Sequence, residues 1–553
     1  MDKIWMKSWP PDVPEKLAFE HGPRPIHEYL RLRAEQMPDK AAVIFYGSRI
    51  SFKELDQASD RFAAYLLEQG AVKGDRIGIF MGNCPQYVIA HFGAQKIGAM
   101  VCPCSPLFKE MELTHELNDA GVKILVAWDV LMPVAAGALP KTGVKTVVVT
   151  NLNDYLPETP ELPLPPVMKV PKQPIAGTVD FTEILARDYP ALPAVSLDIM
   201  TDVGLLQYTG GTTGLPKGCM LTYYAALFKT ATVAAVTGLN PNTICLVTMP
   251  IFHIAGMLAG MNSCLYAGAT QVLLTVFDPQ TAMMAIDRYK VDFWYSAVPM
   301  NVAIMAQPSL ADHDLSSLKL CVTSSFGIQL TEEISANWAK VSHGGLLIEG
   351  AYGLSESHTA DTFMPRHKIK YGTCGIPAYQ QQFKIVDPKD AQKELPLGEP
   401  GEIALKNPAV FKGYWNHPEA TRSTLIDGWL YTGDIGKFDA DGYLYLLGRK
   451  KEMIKVSGYS VFPEEVELML NQHPEVAQSA VIGVPDPQKG EVVKAFIVPT
   501  PGDKPSAAAI QAWAKENMSY YKYPVYVEFR ESLPTLGTGK LLRRVLKDTP
   551  DQA

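Results

Sequence analysis

Short apolar runs alternating with amphipathic stretches dominate the first third of the chain. The runs AAVIF (41–45), RIGIF (76–80), VKILVAW (122–128) and VKTVVV (144–149) have strand length and few polar positions, as strands covered on both faces do. Between the first two, SFKELDQASDRFAAYLLEQG (51–70) places leucines and aromatics at three- and four-residue spacing and ends in Gly70, which predicts a helix. Alternation of this kind predicts α/β layers. The proline-rich stretch 156–174 predicts an exposed connection and not a domain. No internal repeat of fixed period is present.

The pattern changes near residue 450. Upstream, EPGEIALKNPAVFKGYW and GYLYLLGRK predict short strands with tight glycine turns. Downstream, PEEVELMLNQHPEV predicts a short helix with Pro463 in its first turn, followed by acids. The strand QSAVIGV, the strand VVKAFIV, the helix SAAAIQAWAKENM and the strand VYVEFR follow. This is a self-contained α+β unit of about one hundred residues, with Arg449-Lys450-Lys451 at the junction. We therefore expect a body over 1–450 and a small lid over 451–553.

Composition narrows the function. The 553 residues carry 50 Lys plus Arg against 58 Asp plus Glu, a net charge of −8, which gives no basic face for nucleic acid. The eight cysteines are scattered without CxxC spacing, so neither a zinc site nor a disulfide scaffold is expected and they should be buried reduced thiols. The N-terminus lacks the apolar stretch of a secretory signal. From Thr230 to Phe277 there is no charged side chain, but prolines, asparagines and glycines interrupt the stretch, predicting buried strands and helices, not a membrane span. A cytoplasmic location is expected.

The segment YTGGTTGLPKG (208–218) carries the clearest chemistry. Four glycines, three threonines and Lys217 suit a loop whose backbone N–H groups face an anion. A Walker A loop would need Gly-Lys-Ser/Thr, whereas Pro216 and Gly218 flank Lys217. The loop resembles the phosphate loop of the adenylate-forming enzymes, above all the AMP-forming acyl-CoA synthetases of the bacterial long-chain fatty acid type. Five further segments resemble that family in order: MPIFHIAG (249–256), AYGLSES (351–357), GWLYTGDIG (428–436), GRKKEMIKVSGYSVFPEEVE (448–467) and LPTLGTGKLLRR (533–544).

The resemblance implies a body of layered sheets with a distorted β-barrel, a mobile C-terminal domain hinged at Lys451, and the substrates ATP, Mg²⁺, CoA and a small carboxylic acid. Thr209, Gly210, Gly211, Thr212, Thr213, Gly214 and Lys217 are expected at the phosphates. Tyr352, with Gly353 and Ser355 beside it, would stack on adenine. Gly327 faces it from Ser-Phe-Gly-Ile-Gln (325–329), where Phe326 departs from the family pattern. Asp434 would accept from the ribose diol and Arg449 would offer its fork nearby, although both types are also common in turns. Glu356, with Thr209, would hold Mg²⁺. Lys540 would carry its charge to the carboxylate and α-phosphate.

Lys455, Ser457, Gly458 and Tyr459 would form the thiol channel, and Lys450, Lys455, Arg543 and Arg544 are candidates for the CoA phosphates. His253 is a core histidine on its apolar setting alone; the resemblance places it beside the acyl carboxylate, with Met257 and Tyr295 in an acyl pocket. The segment FWYSAVPMN (293–301) and the uncharged stretch are the expected tunnel walls. The favoured acid is a medium- to long-chain fatty acid, with an aromatic or alicyclic acid as the alternative. A carrier-protein thiol in place of CoA is the next alternative, though only thirteen residues follow Lys540. A luciferase-like oxygenase is disfavoured. Peripheral membrane contact and homodimerisation are left open.

Overall fold

The computed structural model describes residues 3–209, 215–325, 328–457, 459–535 and 541–547. Two seven-stranded sheets form the body. One has the order Val179–Asp180, Thr146–Thr150, Ile124–Trp128, Arg76–Phe80, Met100–Cys104, Val203–Tyr208 and Gly218–Thr222, parallel except for the last pair. The other has the order Leu346–Glu349, Leu320–Ser324, Phe293–Ala297, Ile244–Val247, Thr270–Leu273, Ala41–Phe45 and Ser48–Ser51, again parallel except for the final hairpin. Parallel sheets need cover on both faces, and the apolar runs supply it.

The expected helix spans Phe52–Glu68. Ser51 and Glu54 close a capping box at its start, and Gly70 lies just past its end at φ +78°, a conformation that glycine adopts without strain. This helix packs on Pro85–Lys96, all twelve residues of which are buried. Asn83 stitches the two sheets together: its amide donates to the Met249 and Leu274 carbonyls and its oxygen accepts from Ile251 N–H.

The proline-rich stretch is mostly exposed or half-buried, as a connection should be, but it is anchored at two points. Leu162 and Met168 are 4% and 1% exposed, and Glu161 pairs with Arg49 at 3.2 Å and Arg288 at 2.8 Å. It is a strap pinned to the second sheet because proline removes backbone donors but leaves neighbouring apolar side chains free to bury. The N-terminal segment is pinned too. Trp5 and Val13 are buried, and Trp9 packs edge-on against Phe363 and Tyr379, each at 5.2 Å.

A third, antiparallel sheet follows, in which Gln382–Asp387, Gly401–Lys406, Trp429–Phe438 and Leu444–Arg449 pair in succession with register shifts, the distortion expected of this region. Beyond it, Ile454–Val456, Tyr459–Val461, Val476–Asp486, Gly490–Pro499 and Tyr526–Phe529 form a five-stranded sheet, flanked by helices Pro463–Leu470 and Ala507–Asn517.

The uncharged stretch breaks into the end of helix Tyr223–Thr237, two strands, a π-turn at Met257–Asn262 and short helices. Among the described residues no helix is long and apolar enough to cross a membrane. All eight cysteines are free thiols, seven of them buried and Cys374 half-buried. Burial pushes the Cys84 and Cys321 thiols up to about 12, and those of Cys102, Cys104, Cys219 and Cys245 well above their usual value.

Candidate active site

The glycine-rich loop is a hairpin connection. Strands Val203–Tyr208 and Gly218–Thr222 pair antiparallel with Tyr208 opposite Gly218, and Thr209 N–H donates to the Lys217 carbonyl at 3.1 Å. A Walker A loop leads from a strand into a helix; this one returns into a strand, in keeping with Pro216 and Gly218. Gly210, Gly211, Thr212, Thr213 and Gly214 lie outside the described residues.

One tyrosine that the sequence reading did not single out ties the loop to the acid. Residues 412–415 run beside strand Gly218–Thr222, with Trp415 N–H on the Gly218 carbonyl at 2.8 Å and Met220 N–H on the Gly413 carbonyl at 3.0 Å. Tyr414 thereby lies under the Lys217 ammonium, 5.5 Å from its ring centroid, and its hydroxyl donates to Glu356 Oε1 at 2.7 Å. Burial and the Glu356 charge push the Tyr414 phenol far up, so it stays a donor. The available signal was the Gly-Tyr-Trp of FKGYW (411–415).

Glu356 stands in the tight turn Ser355–Ser357. Its Oε2 takes no hydrogen bond from any described residue. A single carboxylate in a tight turn suits a cation that keeps phosphate and water oxygens as most of its ligands, which is the habit of Mg²⁺. The next three residues, His358, Thr359 and Ala360, all have left-handed backbones, φ +59°, +55° and +50°, costly for non-glycine residues. Gly353 lies against them: a Cβ there would sit 2.6 Å from both Ala360 N and Thr359 Cα. A fully buried ion pair anchors the far end. Lys229 Nζ meets Asp361 Oδ1 at 2.6 Å and the Ala360 carbonyl at 3.0 Å, and Asn407 and Ser357 also donate to Asp361.

Asp434 faces Arg449 across a strand pair. Arg449 Nε meets Oδ1 at 2.6 Å, and the Tyr352 hydroxyl donates to Oδ2 at 2.7 Å. These three residues, the outermost 97 positions apart, meet at one carboxylate. Tyr352 is only 5% exposed, however, so its ring is not the open stacking platform anticipated. Of the opposite wall, Phe326 and Gly327 lie outside the described residues; Ser325 donates through Oγ to Glu349 Oε2 at 2.5 Å.

Glu349 lines a cleft that is partly open to solvent. Val233, Val236 and Leu258 from the uncharged stretch and Phe293 and Tyr295 from FWYSAVPMN form its apolar walls. Met257 does not: it is 1% exposed within the core, and its neighbour Leu258 takes the wall, since one step along a helical turn swings a side chain to another face. His253 is half-buried and caps the turn Ile254–Gly256 through Nδ1, so it is not a core residue, and it does not line the cavity.

Burial pushes the Glu349 carboxyl up from 4.5 to about 7. Its folded state therefore holds the proton more tightly than the unfolded chain, and stability falls as pH rises from about 4.5 to about 7. Glu349→Gln, which keeps the neutral shape, is expected to raise the thermal midpoint at pH 8 and to lose that advantage towards pH 4.5. Thermal scans at both values check this; an equal offset at both would refute it.

In the C-terminal sheet, Lys455, Ser457 and Tyr459 sit on the hairpin made by Ile454–Val456 and Tyr459–Val461. Lys455 and Ser457 are exposed, and Tyr459 is stacked on Tyr521 at 4.4 Å. Lys451 lies in an exposed turn. Gly458 and Lys540 lie outside the described residues. Two candidates for CoA phosphates are engaged elsewhere. Arg543 meets Glu452, Glu464 and Glu467 at 2.6, 2.7 and 2.6 Å, and Lys450 meets Glu402 at 2.7 Å.

Comparison with known proteins places this geometry. Residues 30–415 match the model of the AMP-binding enzymes, and residues 465–540 that of the AMP-binding enzyme C-terminal domain. A long-chain-fatty-acid–CoA ligase of Bacillus subtilis (strain 168) is 35% identical, covering 98% of this chain and 97% of its own. A feruloyl-CoA synthase of an Amycolatopsis species is 32% identical over 92% of this chain and 96% of its own. The solved anthranilate CoA ligase AuaEII, in complex with anthranoyl-AMP, superposes with a TM-score of 0.84 at 27% identity, covering 95% of this chain and 96% of its own.

Proposed function

This chain belongs to the AMP-binding enzyme family, and from that premise we propose that it activates a medium- to long-chain fatty acid with ATP and transfers the acyl group to CoA. The chain is an ATP-dependent acid–thiol ligase that uses Mg²⁺ and CoA. The observation that supports the fatty-acid reading is the mainly apolar cleft that begins at Glu349, Gly350 and Ala351, next to Tyr352.

A carboxylic acid is ionised at pH 7, so it attacks the α-phosphate of ATP without a general base. The chain's work is charge neutralisation and in-line placement. Lys217, oriented over Tyr414, and the backbone of the 209–217 loop receive the phosphates. Asp434 exchanges its Tyr352 and Arg449 hydrogen bonds for shared ones with the ribose diol. Glu356 and Thr209 would hold Mg²⁺, which would supply charge neutralisation to the triphosphate. Lys540 bridges the acid and the α-phosphate. The 451–553 unit then turns about Lys451, bringing Lys455, Ser457, Gly458 and Tyr459 to face the adenylate, and the CoA thiol displaces AMP. At the head of the turn Ile254–Gly256, His253 is itself off the cavity wall, so its place is at the acid's carboxylate and not along the acyl chain.

Burying each methylene contributes roughly 0.8 kcal/mol, so kcat/KM is expected to rise about fourfold per CH₂ along a series of straight-chain acids until the cavity ends. Benzoate, assayed in parallel, is expected to be a poor substrate. A peak at benzoate, or no rise with chain length, would assign the enzyme to aryl acids.

A further inference from the structure

The end of the cavity remote from the nucleotide residues has its own construction. Strands Phe293–Ala297 and Leu320–Ser324 run parallel with Phe293 opposite Leu320 and Tyr295 opposite Val322, and all four of these residues line the cavity. Alternate residues of a strand share a face. The cavity therefore runs along the sheet face from Tyr295, Val322 and Glu349, towards the strands' carboxyl ends, to Phe293 and Leu320 at their amino ends.

Arg366 also lines the cavity, on the side of Val236, which shares a core cluster with Phe293 and Leu320. Its guanidinium nitrogens lie 3.8 and 3.9 Å from where a Cβ on Gly238 would be. Gly238 is the C-cap of helix Tyr223–Thr237, and the carboxyl end of a helix favours a cation. Val236 and Thr237, from the last turn of that helix, line the same side. From outside, Asp12 Oδ2 accepts from Arg366 Nη2 at 3.0 Å. Asp12 is held in place by its own segment: Trp9 packs on Phe363, Trp9 Nε1 donates to the Val13 carbonyl, and the Tyr379 hydroxyl donates to the Pro14 carbonyl. An apolar passage thus ends at a charged, partly hydrated pair contributed by two distant parts of the chain.

We propose that Arg366, latched by Asp12, is the distal stop of the acyl cavity and sets the longest acyl chain the enzyme accepts. This rests on the reading of the cavity as the acyl site. Each methylene added within the apolar wall strengthens binding about fourfold. One that reaches the guanidinium must strip water from a charged group, a cost that cancels the gain.

The test measures kcat/KM for CoA ligation by the full chain, as wild type, Arg366→Ala and Asp12→Asn. Two substrate series are used: straight-chain acids, and 4-alkylbenzoates of increasing alkyl length. Arg366→Ala is expected to leave acids up to the wild-type optimum within about twofold. It should raise the next two or three longer acids by about fourfold per methylene, tenfold or more in all. Asp12→Asn should shift the profile the same way by less. A variant profile parallel to wild type at every length, or one lowered uniformly, would overturn the proposal. Which series the wild type turns over tests the substrate class, whereas the variant-to-wild-type ratio along that series tests the stop, so the two readings fail separately.

Discussion

Lys540→Ala is expected to lower acid-dependent ATP–pyrophosphate exchange by about 10²- to 10³-fold, the usual loss when a preorganised charge contact is removed, while supplied acyl-adenylate is still converted to thioester. Two anions, a carboxylate and a triphosphate, must approach to bonding distance in the first half-reaction, and their repulsion is what a cation placed between them removes. The second half-reaction starts from a mixed anhydride with pyrophosphate already gone, and the same cation has little left to neutralise. Lys540 itself lies outside the described residues, but its anchorage does not. Thr535 and Leu541 face each other in an antiparallel bridge, Leu542 N–H bonds the Pro534 carbonyl, and Arg543 is gripped by three carboxylates. Exchange at the wild-type rate in Lys540→Ala would sink the assignment.

Lys229→Met is expected to destabilise the fold by about 3–5 kcal/mol, because it leaves Asp361 as an uncompensated buried charge. Both partners of this pair are 0% exposed; burial pushes the Lys229 ammonium down and the Asp361 carboxyl up, each opposed by the other. Asp361 also anchors the run of left-handed residues that follows Glu356, so activity should fall before the fold is lost. Urea unfolding followed by tryptophan fluorescence, together with the adenylation rate below the transition, checks both. A midpoint shift worth less than about 1 kcal/mol would show that the pair does not brace the turn.

Local signals in the sequence were dependable where packing was uniform. AAVIF and RIGIF form strands at their expected limits, Ala41–Phe45 and Arg76–Phe80, because parallel strands covered on both faces are apolar end to end. VKILVAW is shortened to Ile124–Trp128; Val122 closes the preceding helix through a bond to the Leu117 carbonyl, a role that apolarity does not distinguish from a strand. The motifs marked Lys217, Glu356, Asp434 and Arg449, but Tyr414, which links the first two, was hidden because its partners lie far away in sequence. Lys229 and Asp361, 132 residues apart, were beyond local reading for the same reason. Leu258 was missed in favour of Met257 because spacing from His253 does not say which of two neighbouring residues in a helical turn faces the cavity. Composition marked 156–174 as an exposed connection but could not mark Leu162 and Met168, the two side chains that pin it.

The buried cysteines bear on a different problem, that of holding a reactive intermediate safely. An acyl-adenylate is an electrophile that thiolates attack far faster than thiols do. Seven of the chain's eight thiols are enclosed, with Cys374 half-buried, and burial keeps those of Cys84, Cys102, Cys104, Cys219, Cys245 and Cys321 protonated at neutral pH. Cys219 adjoins the glycine-rich loop itself, yet it is fully buried. Self-acylation at these sulfurs is closed off by packing, and an incoming CoA meets no competing thiolate from them.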